Sequence, residues 1–572
     1  MRTRLLAAFL LVALAGGAMA SAEPVRPADL VLLHARIATL DPARPEATAL
    51  AVRGDRIVAV GSDPDIAIFR GPATRVIDAA GRRVVPGFIE GHGHFMALGE
   101  QLSVLDLRGS VSWEAVVGTV RKAAAAAKPG AWIQGAGWHQ EKWASVPPDA
   151  VGGVPTNAAL NVAAPDNPVL LGHGSGHGVL VNDAALALAG IDAGTPDPAG
   201  GDIVRDAHGK ATGWMVDTAA DLVTAAMQRA LAARDSAEQR AEFVDRVRRA
   251  GQEALSKGVT SFNDAGTPFA TIDVFRELAD AGELPLRLYV MVGLETNAEM
   301  EKNLARYRMV GHADNFLTVR AIKRMADGAL GSHSAWLLAP YADDSSTTGL
   351  VVDQPAMIAR TAELAIANGY QLATHAIGDR SNREILDVYE HALKQVPDGK
   401  ALRWRIEHAQ HLHPDDVPRF ATLGVIASMQ GVHATADGPW VAKRLGEQRA
   451  RERTYVWRSL MNAGVMIVNG TDTPVEDIDP LACFRASVTR EMADGARFYP
   501  EQVMTREEAL VSYTRDNAYA TFEEDLKGTL SVGKLADFVV LDRDILSVPD
   551  ADLRGARVLQ TVLGGRVVYA RH

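Results

Sequence analysis

Cysteine is almost absent from this chain: Cys483 is the only one among 572 residues, so no intrachain disulfide can form. A chain of this length can bury a core large enough to fold without covalent cross-links. Cys483 lies in the apolar segment Leu481-Ala482-Cys483-Phe484. This setting favours a buried, unreactive thiol over a nucleophile.

Long basic runs and long apolar runs are missing as well. The formal net charge is −11, and no stretch of Lys and Arg offsets the repulsion that phosphate groups would meet, which argues against a nucleic-acid partner. No stretch approaches the roughly 18 apolar residues that a membrane-spanning helix needs. We therefore expect no membrane association of the mature chain.

The first twenty residues have the layout of a signal peptide. Arg2 and Arg4 precede an apolar run over residues 5–14, and Ala18-Met19-Ala20 is a small-x-small cleavage signature. The pattern predicts a signal peptide over residues 1–20. The mature protein is then expected to be secreted or periplasmic, and soluble after cleavage.

Two β-rich segments lie at opposite ends of the mature chain. Short apolar runs separated by glycine turns occupy residues 21–86 and return in residues 527–572. Such ends are expected to pair with each other and keep the termini together beside the central unit. The sequence thus predicts a small, discontinuous β-sandwich domain built from residues 21–86 and 527–572.

The central segment, residues 87–526, alternates strand-like with helical patterns. Helical patterns such as 237–257 and 354–368 separate these strand candidates: 258–262, 286–292, 319–325, 370–375, 404–408, 425–429 and 465–469. The repeated units predict an α/β fold, a (β/α)8 TIM-like barrel. A doubly wound sheet is disfavoured because no Gly-rich phosphate loop follows any strand. Residues of about 100–250, irregular and Gly-rich with one Ala-rich helical stretch, are expected to form an insertion near the barrel mouth.

Histidines and one carboxylate follow the predicted strand ends. His92 and His94 are two residues apart, so in a strand both imidazoles point to the same side. His375 and His408 end two later strands, and Asp472 follows the last one. Because the carboxyl ends of barrel strands meet at one face, these side chains are expected to converge as a metal site suited to zinc.

The order of these residues resembles the amidohydrolase superfamily: His-x-His, then Lys323, His375, His408 and Asp472 on successive strand ends. Further segments resemble its family 3 branch, typified by N-substituted formamide deformylase, and lie at residues 322–328, 374–380, 405–410 and 533–537. The resemblance covers essentially the whole mature chain. It implies a barrel with a small β-sandwich.

The resemblance also implies a ligand set. His92 and His94 would bind one zinc ion together with Asp472, and His375 and His408 would bind a second. Lys323 would bridge the two ions after carbamylation, because an unmodified ammonium offers no lone pair. An unmodified Lys323 would leave a site for one metal ion.

From these residues we expect an exported, metal-dependent amidohydrolase. It would hydrolyse a non-peptide C–N bond (amide, N-acyl or N-formyl) of a small molecule by metal-activated water, with Asp472 as general base and then acid. His177 resembles a substrate-side histidine of the family and is a second catalytic candidate, which would hydrogen-bond the carbonyl oxygen. Two alternatives stay open: a deaminase or ester-cleaving hydrolase on the same site, and a catalytically inactive barrel that binds a ligand.

Several residues outside the ligand set are candidates for substrate binding. They are Trp138, His139 and Asn182 in the insertion, and Asp327, Arg380, His433 and Asp437 after predicted strand ends. A structural role such as loop pinning is an equal alternative for each. Two segments, Glu90-Gly91 and Asn469-Gly470-Thr471, depart from the commoner family pattern and are expected to touch no proposed ligand. The sequence does not identify the substrate, and a homodimer is the default expectation for assembly.

Overall fold

Eight parallel strands form the centre of the molecule in the computed structural model, which describes residues 26–140, 143–174 and 178–571. In chain order they are β1 (Phe88–Gly93), β2 (Val259–Thr267), β3 (Arg287–Val292), β4 (Leu317–Met325), β5 (Gln371–Ala376), β6 (Arg405–His408), β7 (Ile426–Gln430) and β8 (Ile467–Gly470). Each strand pairs in parallel with the next one along the chain. A short strand, Met309–Gly311, pairs antiparallel with β4.

The barrel closes where β8 returns to β1. The backbone N–H of Asp472 donates to the carbonyl oxygen of His92 over 2.8 Å. All six residues of β3 are buried, and those after Arg287 are hydrophobic, because helices and neighbouring strands cover both faces of the strand. The prediction of a (β/α)8 barrel is confirmed.

Helices follow the barrel strands and cover the outside of the sheet. Several begin at side-chain caps that the sequence encodes: Thr296 and Glu299 form a capping box at one helix, and Thr505 and Glu508 form another. The helices from β2 onward are Phe269–Asp280, Asn297–Tyr307, His312–Asn315, Pro355–Asn368, Asp379–Leu393, Val417–Leu423, Gly431–Leu445, Glu447–Arg453, Trp457–Asn462, Pro480–Thr489, Arg506–Ser512, Arg515–Ala520 and Asp550–Leu553. Short 3-10 helices occupy Gly399–Leu402 and Pro500–Gln502.

The two ends of the chain share a sheet. Strand Phe538–Leu541 pairs antiparallel with Arg83–Pro86, which joins it to a sheet of order Arg566–Ala570, Val558–Leu563, Phe538–Leu541, Arg83–Pro86, Arg36–Ala38 and Glu46–Ala47. A second sheet has the order Arg56–Gly61, Ala49–Arg53, Leu30–Leu33 and Arg75–Asp78, with a short helix, Asp63–Ala67, beside it. Buried side chains from both ends, among them Leu32, Val52, Val84 and Phe538, form one core cluster. The division of the chain at residues 86 and 527 stays our proposal.

The insertion between β1 and β2 is more regular than the sequence indicated. It contains a six-stranded sheet of order Gly201–Arg205, Ala211–Asp217, Gly178–Val181, Val169–His173, Ile133–Trp138 and Leu105–Asp106. Its helices are Phe95–Gln101, Trp113–Ala126, Ala158–Ala163, Asp183–Ala189, Thr218–Ala232 and Ser236–Ser256. The expectation of an irregular segment is therefore wrong. Glycines inside the strands, such as Gly137 with φ 91° at a register shift, hide the alternation that identifies a strand.

Two expectations concern membrane association and the N-terminus. Among the described residues, none of the helices is both long enough and apolar enough to cross a bilayer. The predicted signal peptide, residues 1–20, lies outside the described residues.

Candidate metal centre

The end of β1 supplies the first pair of histidines. His92 is fully buried, whereas His94, one residue beyond the strand, is partly exposed. Their ring centroids are 5.7 Å apart and the rings are perpendicular. Both imidazoles face the same region because residues two apart share one side of a strand.

The other predicted ligands come from four more strand ends. Lys323 on β4 places its Nζ 3.4 Å from His92 Nε2. The His408 ring centroid lies 4.8 Å from that of His92 and 4.5 Å from that of His375. Asp472 lies two residues after the end of β8. Its Oδ1 is 3.6 Å from His92 Nε2 and 3.2 Å from His94 Nε2. The structure thus brings all six predicted ligand residues together.

Asp472 belongs to two groups of potential metal ligands. In one, atoms of His92, His94 and Asp472 all lie within 4.8 Å of one another, and in the other the same holds for His408, His433 and Asp472. His433 is a substrate-binding candidate by sequence, yet its geometry places it among the potential ligands. It stacks at 6.3 Å on the His408 ring.

The chemistry of these side chains fits a divalent cation. Burial, followed by the charge of Lys323, lowers the pKa of His92 and of His375 to about 3, so both imidazoles are neutral and keep a lone pair. His375 Nε2 and His433 Nε2 are buried without a hydrogen-bond partner among the described residues, although His375 Nε2 lies 3.5 Å from Asp327 Oδ1. Buried polar atoms normally have partners, so nitrogens left without one are what a metal site requires.

A buried carboxylate that the sequence analysis missed orients His92. Glu407 accepts a short hydrogen bond from His92 Nδ1, which leaves Nε2 facing Lys323 and Asp472. Arg405 binds the same carboxylate at 2.7 and 2.8 Å, and all three side chains are fully buried. Although burial alone would raise the pKa of Glu407, the charge of Arg405 and the interaction with His92 hold it well below its ordinary value.

The segment Arg405-Ile406-Glu407-His408 contained a signal for this arrangement. Two charged residues alternate along a strand that parallel packing buries on both sides, and such charges need partners. A comparable partner holds His408: Gln430 Oε1, at the end of β7, lies 2.8 Å from His408 Nδ1. Contacts of this kind fix the orientation of metal-binding imidazoles.

Glu90 contacts the segment that carries Asp472, which the sequence analysis did not expect. Its Oε1 accepts from Thr471 N at 2.6 Å, and its Oε2 accepts from Thr471 Oγ1 at 3.0 Å. A Cβ at Gly470 would lie 2.5 Å from both Glu90 Oε1 and His92 N, so only glycine allows this approach. Burial raises the pKa of Glu90 to about 8. The backbone N–H of His92, a proposed ligand, also donates to Glu90 Oε1 at 3.3 Å. The expectation that these departures from the family pattern touch no proposed ligand is therefore wrong.

A cavity of about 930 Å³ opens above these residues. Some of the predicted substrate-binding residues line it and others do not. His433 and Asp437 line it together with His94, Lys323, His375, His408 and Asp472. Asp437 accepts hydrogen bonds from Gln410 Nε2 (2.8 Å) and Tyr455 OH (2.5 Å), and burial raises its pKa.

Asp327 and Arg380 are placed differently. Asp327 is buried and accepts from the backbone N–H groups of Trp336, Ile377 and Gly378 at 2.8 to 3.0 Å, which pins the loops after β4 and β5. Burial raises its pKa to about 7. Arg380 is exposed and lies over the Trp336 ring. Neither residue is among the described residues that line the cavity.

The candidates in the insertion also lie away from the described lining of the cavity. Trp138 is fully buried in an insertion core and donates from Nε1 to Leu171 O at 3.1 Å. Asn182 caps the helix Asp183–Ala189 and uses both amide hydrogens and two acceptor positions within the chain. The His139 ring lies 4.4 Å from the His173 ring. His177, the second catalytic candidate, lies outside the described residues.

Comparisons with known proteins agree with this geometry. The sequence model of the amidohydrolase family matches residues 75–569. Protein LONG AFTER FAR-RED 3 of Arabidopsis thaliana is 34% identical over 555 residues, which cover 95% of this chain and 92% of that protein. N-substituted formamide deformylase of Arthrobacter pascens is 29% identical over 550 residues, 95% of this chain and 98% of that protein.

A solved structure shows the same architecture. The crystal structure of a metal-dependent hydrolase from Pyrococcus furiosus superposes with a TM-score of 0.71 at 27% identity, covering 91% of this chain and 100% of that one.

Proposed function

The chain belongs to the amidohydrolase family, and from this premise we propose that it hydrolyses a non-peptide C–N bond of a small molecule, in an amide, N-acyl or N-formyl group. One observation carries the proposal: six potential ligands from five strand ends converge beside an open cavity of about 930 Å³. Such a volume suits a small-molecule substrate.

We further propose that the site holds one or two zinc ions. His92, His94 and Asp472 would hold one ion, and His408 with His375 or His433 would hold a second, since Asp472 lies within reach of both groups. Neutral imidazoles and a carboxylate are ligands that zinc takes readily. When bound, zinc would polarise the substrate carbonyl and lower the pKa of a water molecule.

Lys323 is proposed to join this set as a carbamate. Its amine is buried beside His92, and burial lowers its pKa, which favours the neutral form. A neutral amine can add to CO2 with loss of one proton, which forms a carbamate anion with two oxygens able to bind a metal ion. Without this step the site would hold one ion.

Asp472 is proposed to move the proton during hydrolysis. Although burial would raise the pKa of its carboxyl group, the hydrogen bond with His94 holds that pKa well below the ordinary value, so Asp472 is ionised and can accept a proton. The carboxylate would take a proton from the attacking water and return it to the leaving nitrogen, giving a carboxylic acid and an amine. His177 stays a proposed donor to the carbonyl oxygen, by resemblance alone.

Export is a separate proposal that rests on residues 1–20. A basic start, an apolar run and a small-x-small signature support cleavage after Ala20. Mass spectrometry of protein recovered from the periplasm or medium is expected to find Ser21 as the first residue.

The test of function combines metal analysis with a substrate screen. We expect purified protein to retain zinc stoichiometrically and to release amine from N-formyl or N-acyl model compounds, with activity lost on chelation and restored by zinc. Esters and amidines belong in the same screen, because preference for one of them would favour the ester-cleaving or deaminating alternative. A complete failure to bind metal would indicate an inactive scaffold.

A substitution tests the role of Asp472 directly. We expect Asp472→Asn to keep the fold and most of the metal but to lower kcat at least ~100-fold, because general acid–base catalysis is lost. Asp477→Asn is a matched control: Asp477 lies in the same loop, is exposed and pairs with Lys257 at 3.2 Å. Near-normal turnover by Asp472→Asn would rule out its catalytic role.

A further inference from the structure

The wall of the cavity beyond the proposed ligands is apolar. Large hydrophobic side chains line it although solvent reaches them: Leu294 is 82% exposed, Met325 40%, Val352 53% and Val475 67%. Leu330, Met357 and Trp440 extend the same wall. Contiguous exposed apolar side chains indicate a binding surface, and this one is continuous with the candidate metal centre. A molecule bound at the candidate metal centre would therefore contact this wall.

Carboxylates stand within this apolar wall. Those that line the cavity apart from Asp472 are Glu295, Asp353, Asp437 and Glu476. The first three accept hydrogen bonds from other groups of the chain. Glu476 is half-buried and has no hydrogen-bond or ion-pair partner in the described part of the chain. Its carboxyl oxygens are thus available to a bound molecule.

The lysine and arginine side chains that line the described part of the cavity are already engaged. Lys323 lies beside His92 at 3.4 Å. Arg324 is buried, and its guanidinium donates to Thr361 Oγ1, Glu295 O and Asn297 Oδ1 at 2.6 to 2.8 Å. Neither cation is placed to pair with a negative group on the part of a substrate that lies beyond the scissile bond.

We propose that this cavity accepts amides whose group beyond the scissile bond is apolar and carries no negative charge, and that Glu476 determines this specificity by repelling anions. The proposal rests on the proposed function, since it describes the substrate of that same site. A cationic end is tolerated, because Glu476 attracts it and the aromatic face of Trp440 lines the same cavity. N-acyl amino acids, whose carboxylate would face Glu476, are excluded as good substrates.

Three matched amides test the charge preference. They share one scissile amide and one alkyl chain, and they end in tert-butyl, trimethylammonium or sulfonate, which are similar in size. Sulfonate is a weak metal ligand, so its charge is compared without capture by zinc. Binding is measured by calorimetry on zinc-loaded Asp472→Asn, and kcat/KM is measured on the unsubstituted protein.

We expect the tert-butyl and trimethylammonium amides to bind with similar affinity and the sulfonate on the order of 10-fold more weakly, as repulsion between like charges in a partly buried site implies. Glu476→Gln is expected to remove most of that difference, whereas Asp477→Asn leaves it unchanged. Equal binding of all three amides, or an equal response to both substitutions, would overturn the proposal.

The two measurements separate this inference from the proposed function. The expected order of binding without hydrolysis of any amide would support the charge preference and contradict the amidohydrolase assignment. Hydrolysis that is fastest for the sulfonate would support the assignment and overturn the charge preference.

Discussion

Replacing Glu407 by glutamine tests whether the buried carboxylate controls the metal centre. The substitution keeps the shape of the side chain and an acceptor for His92 Nδ1, but it removes the negative charge that His92 and Arg405 share. Loss of such a supporting carboxylate typically weakens metal binding 10- to 100-fold, or about 1.4 to 2.7 kcal/mol. We expect a zinc Kd raised within that range.

The effect on stability follows from what Arg405 retains. Its Nη2 also donates to Gly91 O and Ser428 Oγ, both at 2.8 Å. These two hydrogen bonds remain in the variant and continue to stabilise the buried guanidinium. Removing one partner of a buried pair costs about 3 to 5 kcal/mol, and these remaining bonds place the expected cost near the lower value.

The assay is competition for zinc against a chelator of known affinity, together with urea unfolding of the metal-free protein. Glu508→Gln is the matched control, because Glu508 binds Arg458 through two similar hydrogen bonds and does not line the cavity. A folded Glu407→Gln variant whose zinc Kd stays within twofold of the unsubstituted protein would refute the reasoning.

Three further predictions concern other parts of the site and core. Lys323→Ala should reduce bound zinc from two ions to one per chain and abolish any dependence of activity on bicarbonate, as metal analysis can show; an unchanged ratio would indicate a single-ion site. Gly470→Ala should lower activity strongly and destabilise by about 1 to 3 kcal/mol, because its Cβ would collide with Glu90 and the His92 backbone; Gly109→Ala, where an added Cβ meets nothing within 4 Å, is the comparison. His411 is buried, and burial lowers its pKa to about 3. As pH falls below about 6.5, the unfolded chain takes up the proton before the folded chain does. The free energy of unfolding should therefore fall, because of this residue, by about 1.4 kcal/mol per pH unit down to about pH 3. His411→Asn should remove this contribution, as urea unfolding at several pH values can show.

Several features followed from the sequence without tertiary information. The alternation of apolar runs with helical patterns predicted the barrel. The predicted carboxyl ends agree with those of β3 to β8 within one residue, whereas β2 runs to Thr267, five residues beyond its predicted end. The placement of His92, His94, His375, His408 and Asp472 on strand ends predicted their meeting, and the family resemblance added Lys323; the distances show all six together. This succeeded because parallel strands have one polarity, so a residue at a carboxyl end always reaches the same face.

Other features depended on contacts that a single segment does not encode. Glu407 meets His92 across 315 positions of the chain, and Glu90 meets Thr471 across 381. Glycines inside the strands of the insertion interrupt the alternation by which a strand is predicted. Trp138 packs in a core of the insertion and Asn182 caps a helix, and neither is among the described residues that line the cavity.

The sequence by itself determined which residue types stand at the strand ends, because strand periodicity and direction are local properties. The tertiary structure decided which partner each of them meets and that His433 joins the potential ligands. It also decided that Glu476 lines the cavity without a hydrogen-bond or ion-pair partner in the described part of the chain. The physical reason is that pairing of buried charges depends on how the barrel closes, and closure brings together atoms whose separation along the chain carries no information about their distance.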